Sequence, residues 1–186
     1  KMQRHLRLLY ENGSLYLVHN GFLLYHAAIP LNPDGSFTEI DVCGERVKGK
    51  ALMDRIDQVI RMAYYGEGKE KEDALDYMLY LWQGEHSPLY NKDRMTTFER
   101  YFIADKQTHE EKKGAYFNLS DDECTCNNIL EEFGLNPATG RIINGHVPVR
   151  TIKGETPIRA NGKRFVIDGG FSKPYQEKTG IAGYTL

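Results

Sequence analysis

The chain has 186 residues, 40% hydrophobic and 27% charged, which suits one globular domain burying roughly two thirds of its unfolded surface. With 24 Lys and Arg against 26 Asp and Glu the net charge is -2, so no basic field exists to draw in nucleic acid, and a small anionic substrate would need locally clustered cations. The longest apolar stretch, residues 15–30, is broken by His19, Asn20, Gly21 and His26, which excludes a bilayer-spanning helix there.

Met2, Leu6, Leu9 and Tyr10 recur at helical spacing and Gly13 follows where a left-handed capping residue is wanted, predicting a helix over residues 1–11. Residues 15–19 and 22–26 are apolar, aromatic-rich runs joined by Asn20-Gly21, the pair that best supplies two positive φ angles, and predict a tight hairpin. Ala51, Leu52, Ile56, Val59, Ile60 and Ala63 mark an amphipathic helix over 49–65. Ala74, Leu75, Met78, Leu79 and Trp82 mark a second that ends near Gly84, with Gly66-Glu-Gly68 between the two. Residues 87–114 read as irregular and polar; Asp121 or Asp122 then caps a helix containing Ile129, Leu130 and Phe133, which Gly134 ends. Arg141-Ile-Ile-Asn144 reads as a short buried strand, and residues 158–160 are expected to pair with 163–167 through a second Asn-Gly turn, Asn161-Gly162. Strands at both ends and a helical insertion over about 49–133 predict one mixed α/β (α+β) unit spanning 1–186.

Cys43, Cys124 and Cys126 make an odd number in a chain without an amino-terminal signal segment, so a reducing, cytoplasmic setting is expected. Cys124-Thr-Cys126 has no second Cys pair to complete a metal site, and two ordinary thiols at a helix start are expected. The chain begins inside a helical pattern and stops in the apolar run Ile181-Ala-Gly-Tyr-Thr-Leu186, so it reads as part of a longer parent.

Two histidines stand where a strand feeds a loop, His26 before Ala27-Ala28 and His146 after Ile142-Ile143-Asn-Gly. Loops at the carboxyl ends of strands are the usual ligand-binding positions of α/β sheets, and small neighbours let a metal approach an imidazole. A histidine beside an apolar strand is more often a hydrogen-bonded core residue, so spacing alone makes neither one a ligand. His19 reads as structural or exposed, and His5, His86 and His109 as solvated.

Five blocks carry a more specific signal: Leu24-Tyr-His26-Ala-Ala-Ile-Pro30, Leu81-Trp-Gln-Gly-Glu-His-Ser-Pro-Leu89, Met95-Thr-Thr-Phe-Glu-Arg-Tyr-Phe102, Ile143-Asn-Gly-His-Val-Pro-Val149, and Val166-Ile-Asp-Gly-Gly-Phe-Ser-Lys173 with Ile181–Leu186. In this order they resemble class 3 fructose-1,6-bisphosphatases, a divergent branch of the calcineurin-like metallophosphatases. The resemblance implies the carboxyl-side part of a two-layer sandwich, with His26 and His146 as metal ligands. That family usually has glycine after the first histidine, where this chain has Ala27, whose methyl would crowd the metal. The Asp-x-His, Gly-Asp-x-x-Asp-Arg-Gly and Gly-Asn-His-Asp/Glu motifs of the superfamily are absent from the sequence. Two neutral imidazoles cannot balance two divalent ions, so the resemblance implies that an upstream segment supplies the other ligands and the catalytic histidine.

The implied cofactor is manganese in a binuclear site, the implied substrate fructose 1,6-bisphosphate, and the implied setting gluconeogenesis. The phosphoryl group that is retained needs a cationic seat, for which Arg100, Lys173, Arg94 and Lys106 are candidates, the first two because they sit beside aromatic residues within the matching blocks. Asp168, before Gly169-Gly170, could orient a ligand histidine, with turn formation as its competing use. A phosphoprotein or dinucleoside polyphosphate substrate, or a non-catalytic regulatory or assembly module with structural histidines, are the rival readings. Homo-oligomerisation is expected of a half sandwich left with open strand edges.

Overall fold

The computed structural model describes residues 1–184; Thr185 and Leu186, the end of the last matching block, lie outside the described residues. Helix α1 (Met2–Asn12) leads into strands β1 (Tyr16–His19) and β2 (Phe22–Tyr25). Asn20 and Gly21 take φ of 49° and 79°, the left-handed pair a two-residue hairpin turn demands. Gly13 departs from expectation: it is extended at φ -92° and ψ 165°, and its N–H closes the last turn of α1 onto the Leu9 carbonyl.

A second hairpin, β3 (Ile40–Val42) and β4 (Glu45–Val47), follows, then α2 (Gly49–Tyr65) and α3 (Gly68–Gln83). Leu52, Ile56, Val59 and Ala63 of α2 pack with Ala74, Tyr77 and Leu81 of α3 and with Val42 and Val47 of the hairpin into one apolar cluster. The stretch expected to be irregular contains α4 (Thr97–Phe102), and α5 (Tyr116–Leu119) follows it. Helix α6 (Glu123–Glu132) is capped by Asp122, whose carboxylate accepts from the Thr125 N–H at 2.8 Å. It ends at Gly134 with φ of 75°. Strands β5 (Arg141–Asn144), β6 (Ile158–Arg159) and β7 (Arg164–Val166) and helix α7 (Lys173–Thr179) complete the order. The β6–β7 connection is longer than a two-residue turn: Ile158 pairs with Phe165 and Arg159 with Arg164, and Ala160, Asn161 and Gly162 all have positive φ.

Five strands form one mixed sheet in the order β1-β2-β5-β7-β6, with β2, β5 and β7 parallel and the two outer strands antiparallel. One face is covered by α6. There Leu23, Tyr25 and Ile142 pack with Cys126, Ile129, Leu130 and Phe133. On the other face, residues in register make an apolar row across all five strands: Leu17, Leu24, Ile143, Phe165 and Ile158. Leu17 and Ile158 at its ends are 54% and 52% exposed. Among the described residues, no helix is long and apolar enough to cross a membrane.

Candidate metal and phosphate site

The three parallel strands β2, β5 and β7 end side by side, so the residues just beyond them, His26, Gly145-His146 and Ile167-Asp168, share one edge of the sheet. The ladder continues past the strands, with the Gly145 N–H donating to the His26 carbonyl at 2.9 Å and the Ile167 N–H to the Asn144 carbonyl at 2.9 Å. His146 then turns back with φ of 71°, a left-handed conformation uncommon for a side chain of its size. The turn aims its ring at His26: Nδ1 of His146 lies 3.1 Å from Nε2 of His26, and the rings meet edge to face with centroids 5.0 Å apart.

His26 is exposed and His146 half-buried. Burial first, then the neighbouring His26 ring and Lys92, pushes the His146 pKa down to about 4, against a smaller upward pull from Asp168. Its imidazole is therefore neutral at pH 7, with a ring nitrogen lone pair open to a Lewis acid. Imidazole-metal bonds of about 2.1 Å place two nitrogens on one ion about 3 Å apart, so this pair fits as two ligands of one centre. Among the described residues, no group of three or more His, Cys, Asp and Glu side chains could hold a metal.

Beneath the histidines the covered face holds a buried polar network. Asn144 donates to the Ala27 carbonyl at 3.1 Å and accepts from Nη1 of Arg164 at 3.1 Å. Arg164 also donates through Nε to the Ser120 carbonyl at 2.9 Å and pairs with Asp121. Tyr25 and Tyr116 share a hydroxyl hydrogen bond of 2.6 Å; desolvation raises both phenols, Tyr116 to about 12. Ala27 is 1% exposed and its side chain belongs to the apolar core.

Asp168 is spent on the turn: its carboxylate accepts from the Gly170 N–H at 2.9 Å, and its carbonyl accepts from the Val149 N–H at 2.8 Å. The four cations chosen from the sequence are not drawn to the histidines. Arg100 binds Thr96 Oγ1 and the His109 carbonyl, both at 2.9 Å; Arg94 pairs with Asp93 at 3.4 Å. Lys106 and Lys173 are exposed at the starts of short helical segments. None of the four lines either cavity beside the histidines. His109, expected to be solvated, is half-buried, with Nε2 within 3.0 Å of the Glu99 carbonyl and 2.9 Å of the Ile103 carbonyl.

Four other cations, Lys113, Arg150, Arg159 and Arg164, line a cleft of about 200 Å³ that Gly145 and Val147 border. They are far apart in the chain, and only their place in the sheet brings them together. Cys126 is buried, donates to the Ser120 carbonyl at 3.3 Å and has its pKa pushed up by desolvation to about 11; Cys43 and Cys124 are exposed free thiols.

The protein-family model described as Firmicute fructose-1,6-bisphosphatase matches residues 1–186. Among curated proteins, the chain is 57% identical to the class 3 fructose-1,6-bisphosphatase of Bacteroides fragilis over 188 residues, covering 100% of this chain and 28% of that protein. It is 55% identical to the protein of the same name from Parabacteroides distasonis, again over 28% of its length, and 57% identical to that of Alkaliphilus metalliredigens, over 29%. The chain thus spans less than a third of the length of these relatives. No solved structure matches it. Since the family model matches from the first residue to the last and the relatives agree at more than half of the positions, the chain belongs to the Firmicute fructose-1,6-bisphosphatase family.

Proposed function

We propose that this chain supplies part of a divalent-metal centre in a longer cytoplasmic fructose-1,6-bisphosphatase, which hydrolyses fructose 1,6-bisphosphate to fructose 6-phosphate and phosphate in gluconeogenesis. The observation that carries the proposal is the 3.1 Å approach of the His26 and His146 rings at the ends of neighbouring parallel strands. A hydrogen-bonded histidine pair serving the core alone would be buried; His26 is exposed.

His26 and His146 would hold the ion, and manganese suits imidazoles combined with carboxylates supplied by the rest of the protein. When bound, such an ion supplies Lewis-acid charge to phosphoryl oxygens and to the attacking water. This chain's own residues prepare the place. The Gly145 N–H bonded to the His26 carbonyl fixes the spacing of the two loops, and the left-handed turn at His146 points its ring across them. Asn144 and the tyrosine pair fill the space below.

A calcineurin-like two-layer sandwich fits the same picture. The apolar row from Leu17 to Ile158 is a sheet face in want of a covering layer, and His26 borders the cavity of about 530 Å³ above it with Leu24 and Ile143. The missing ligands would then arrive with that layer.

The test uses the full-length parent. His26→Ala and His146→Ala are each expected to cut manganese affinity by more than about 100-fold in calorimetric titration, a larger loss than removal of an outer partner brings. Manganese-dependent phosphate release should fall with it, while circular dichroism stays that of the parent. Undiminished manganese uptake by both variants would sink the proposal.

A further inference from the structure

The cleft beside the Gly145–Val147 loop is one anion short. Its guanidinium groups and carboxylates alternate in a chain: Arg150 pairs with Glu155, Glu155 with Arg159, and Asp121 with both Arg159 and Arg164. Three guanidinium groups thus share two carboxylates, and Lys113 lines the same cleft without an ion-pair partner among the described residues, its Nζ 5.4 Å from the centre of the Phe117 ring. The cleft carries a surplus of two positive charges in a chain whose net charge is -2. The Arg159 Nε is buried and has no hydrogen-bond acceptor, a debt that buried donors rarely carry.

The pairing also holds the groups in place. Arg164 is locked by Asn144, Ser120 and Asp121, and the Arg150 N–H and guanidinium both bind Glu155. A site fixed in this way loses little freedom when a ligand arrives. A phosphate monoester, with three acceptor oxygens and a charge of about -1.5 to -2 at neutral pH, matches the surplus and the unmet donor.

Position in the fold ties this cleft to the histidines. Asn144 and Gly145 line it, and the Gly145 N–H is bonded to the His26 carbonyl. We propose that the cleft formed by Lys113, Arg150, Arg159 and Arg164 seats the phosphate that the sugar bisphosphate keeps, while the other phosphate lies at His26 and His146. This rests on the sugar-bisphosphatase reading above and specifies it: substrates with a second phosphate are preferred because the second phosphate completes this charge network.

The experiment uses the full-length parent, with Lys113→Gln and the double variant Lys113→Gln/Arg150→Gln, both at exposed positions. Loss of charge-assisted hydrogen bonds is expected to raise KM for fructose 1,6-bisphosphate about tenfold in the double variant, with kcat changed less than about twofold. Hydrolysis of p-nitrophenyl phosphate, which has no second phosphate, should keep its kcat/KM within about twofold. Calorimetric titration of inorganic phosphate into the metal-free parent should show binding that the double variant weakens about tenfold. Equal losses on both esters, or phosphate binding unaltered in the double variant, overturn the seat. If the parent does not hydrolyse fructose 1,6-bisphosphate but its phosphate binding still depends on Lys113 and Arg150, the functional reading has failed and the anion seat stands.

Discussion

The two faces of the five-stranded sheet invert the usual distribution of polarity. Beneath α6 and α5 lie Arg164, Asn144 and Tyr25, all buried and joined by hydrogen bonds to one another or to Tyr116 of α5. The opposite face presents the row of Leu17, Leu24, Ile143, Phe165 and Ile158, partly open along its length and more than half exposed at both ends. The covered face is complete within this chain: Ser120 and Asp121, from the segment between α5 and α6, satisfy Arg164 some forty residues away in sequence. Among the described residues the open face has no such covering network, and its apolar area gains about 25 cal/mol per Å² only when something covers it. Fold integrity therefore depends on the first face, while the second is left partly open.

The sharpest way to break that contrast is Arg164→Met. It leaves the Asn144 amide oxygen and the Ser120 carbonyl without their donor and Asp121 without its nearest cation, and should lower unfolding free energy by about 3 kcal/mol in urea titration. A loss below about 1 kcal/mol would mean that the network is ornamental to the fold.

A smaller effect is expected at Glu111, which fastens the segment leading to Lys113 and Tyr116. Desolvation alone would raise its pKa, but hydrogen bonds from Lys92 and from the N–H and hydroxyl of Thr96 more than offset this and bring it down to about 2. A carboxylate depressed in the folded state contributes stability above its unfolded pKa of about 4.5, and that contribution disappears as pH falls toward 2. Glu111→Gln should flatten this acid limb between about pH 4.5 and 2 in a denaturation series, relative to the parent protein. An unchanged limb would show that Glu111 is not held as described.

The smallest change in stability, and the clearest in association, is expected at the open face. Leu17→Glu with Ile158→Lys should alter the unfolding free energy of the chain by less than about 1 kcal/mol, because both positions are already exposed. Sedimentation equilibrium should nevertheless show the unaltered chain self-associating and the double variant shifted toward monomer. A monomeric unaltered chain at high concentration would remove the open face as a docking surface.

Much of this arrangement is legible in the residues themselves. Asn20-Gly21 specifies a turn by backbone sterics, and α2 begins and ends where its apolar spacing begins and ends. His26 and His146 are visible as strand-end histidines, and the parallel pairing of β2 with β5 is what converts two sequence positions into neighbours. The β3–β4 hairpin went unread because its turn places Cys43 at φ of 53°, and cysteine gives no turn signal. Arg100 and Lys173 were singled out by neighbouring aromatic residues, a local feature, whereas Lys113, Arg150, Arg159 and Arg164 meet through tertiary structure, which no local pattern announces. Arg100, inside a matching block, instead ties α4 to His109.

The backbone of His146 carries a last consequence. An imidazole residue at φ of 71° sits in a conformation that glycine or asparagine would occupy more comfortably. Selection for thermal endurance alone would thus drift this position toward those residues and erase the ring that reaches His26. Retaining histidine here makes the loop a little less durable than it could be, and variants recovered from a heat-tolerance screen should be watched for quiet loss of the His26–His146 contact.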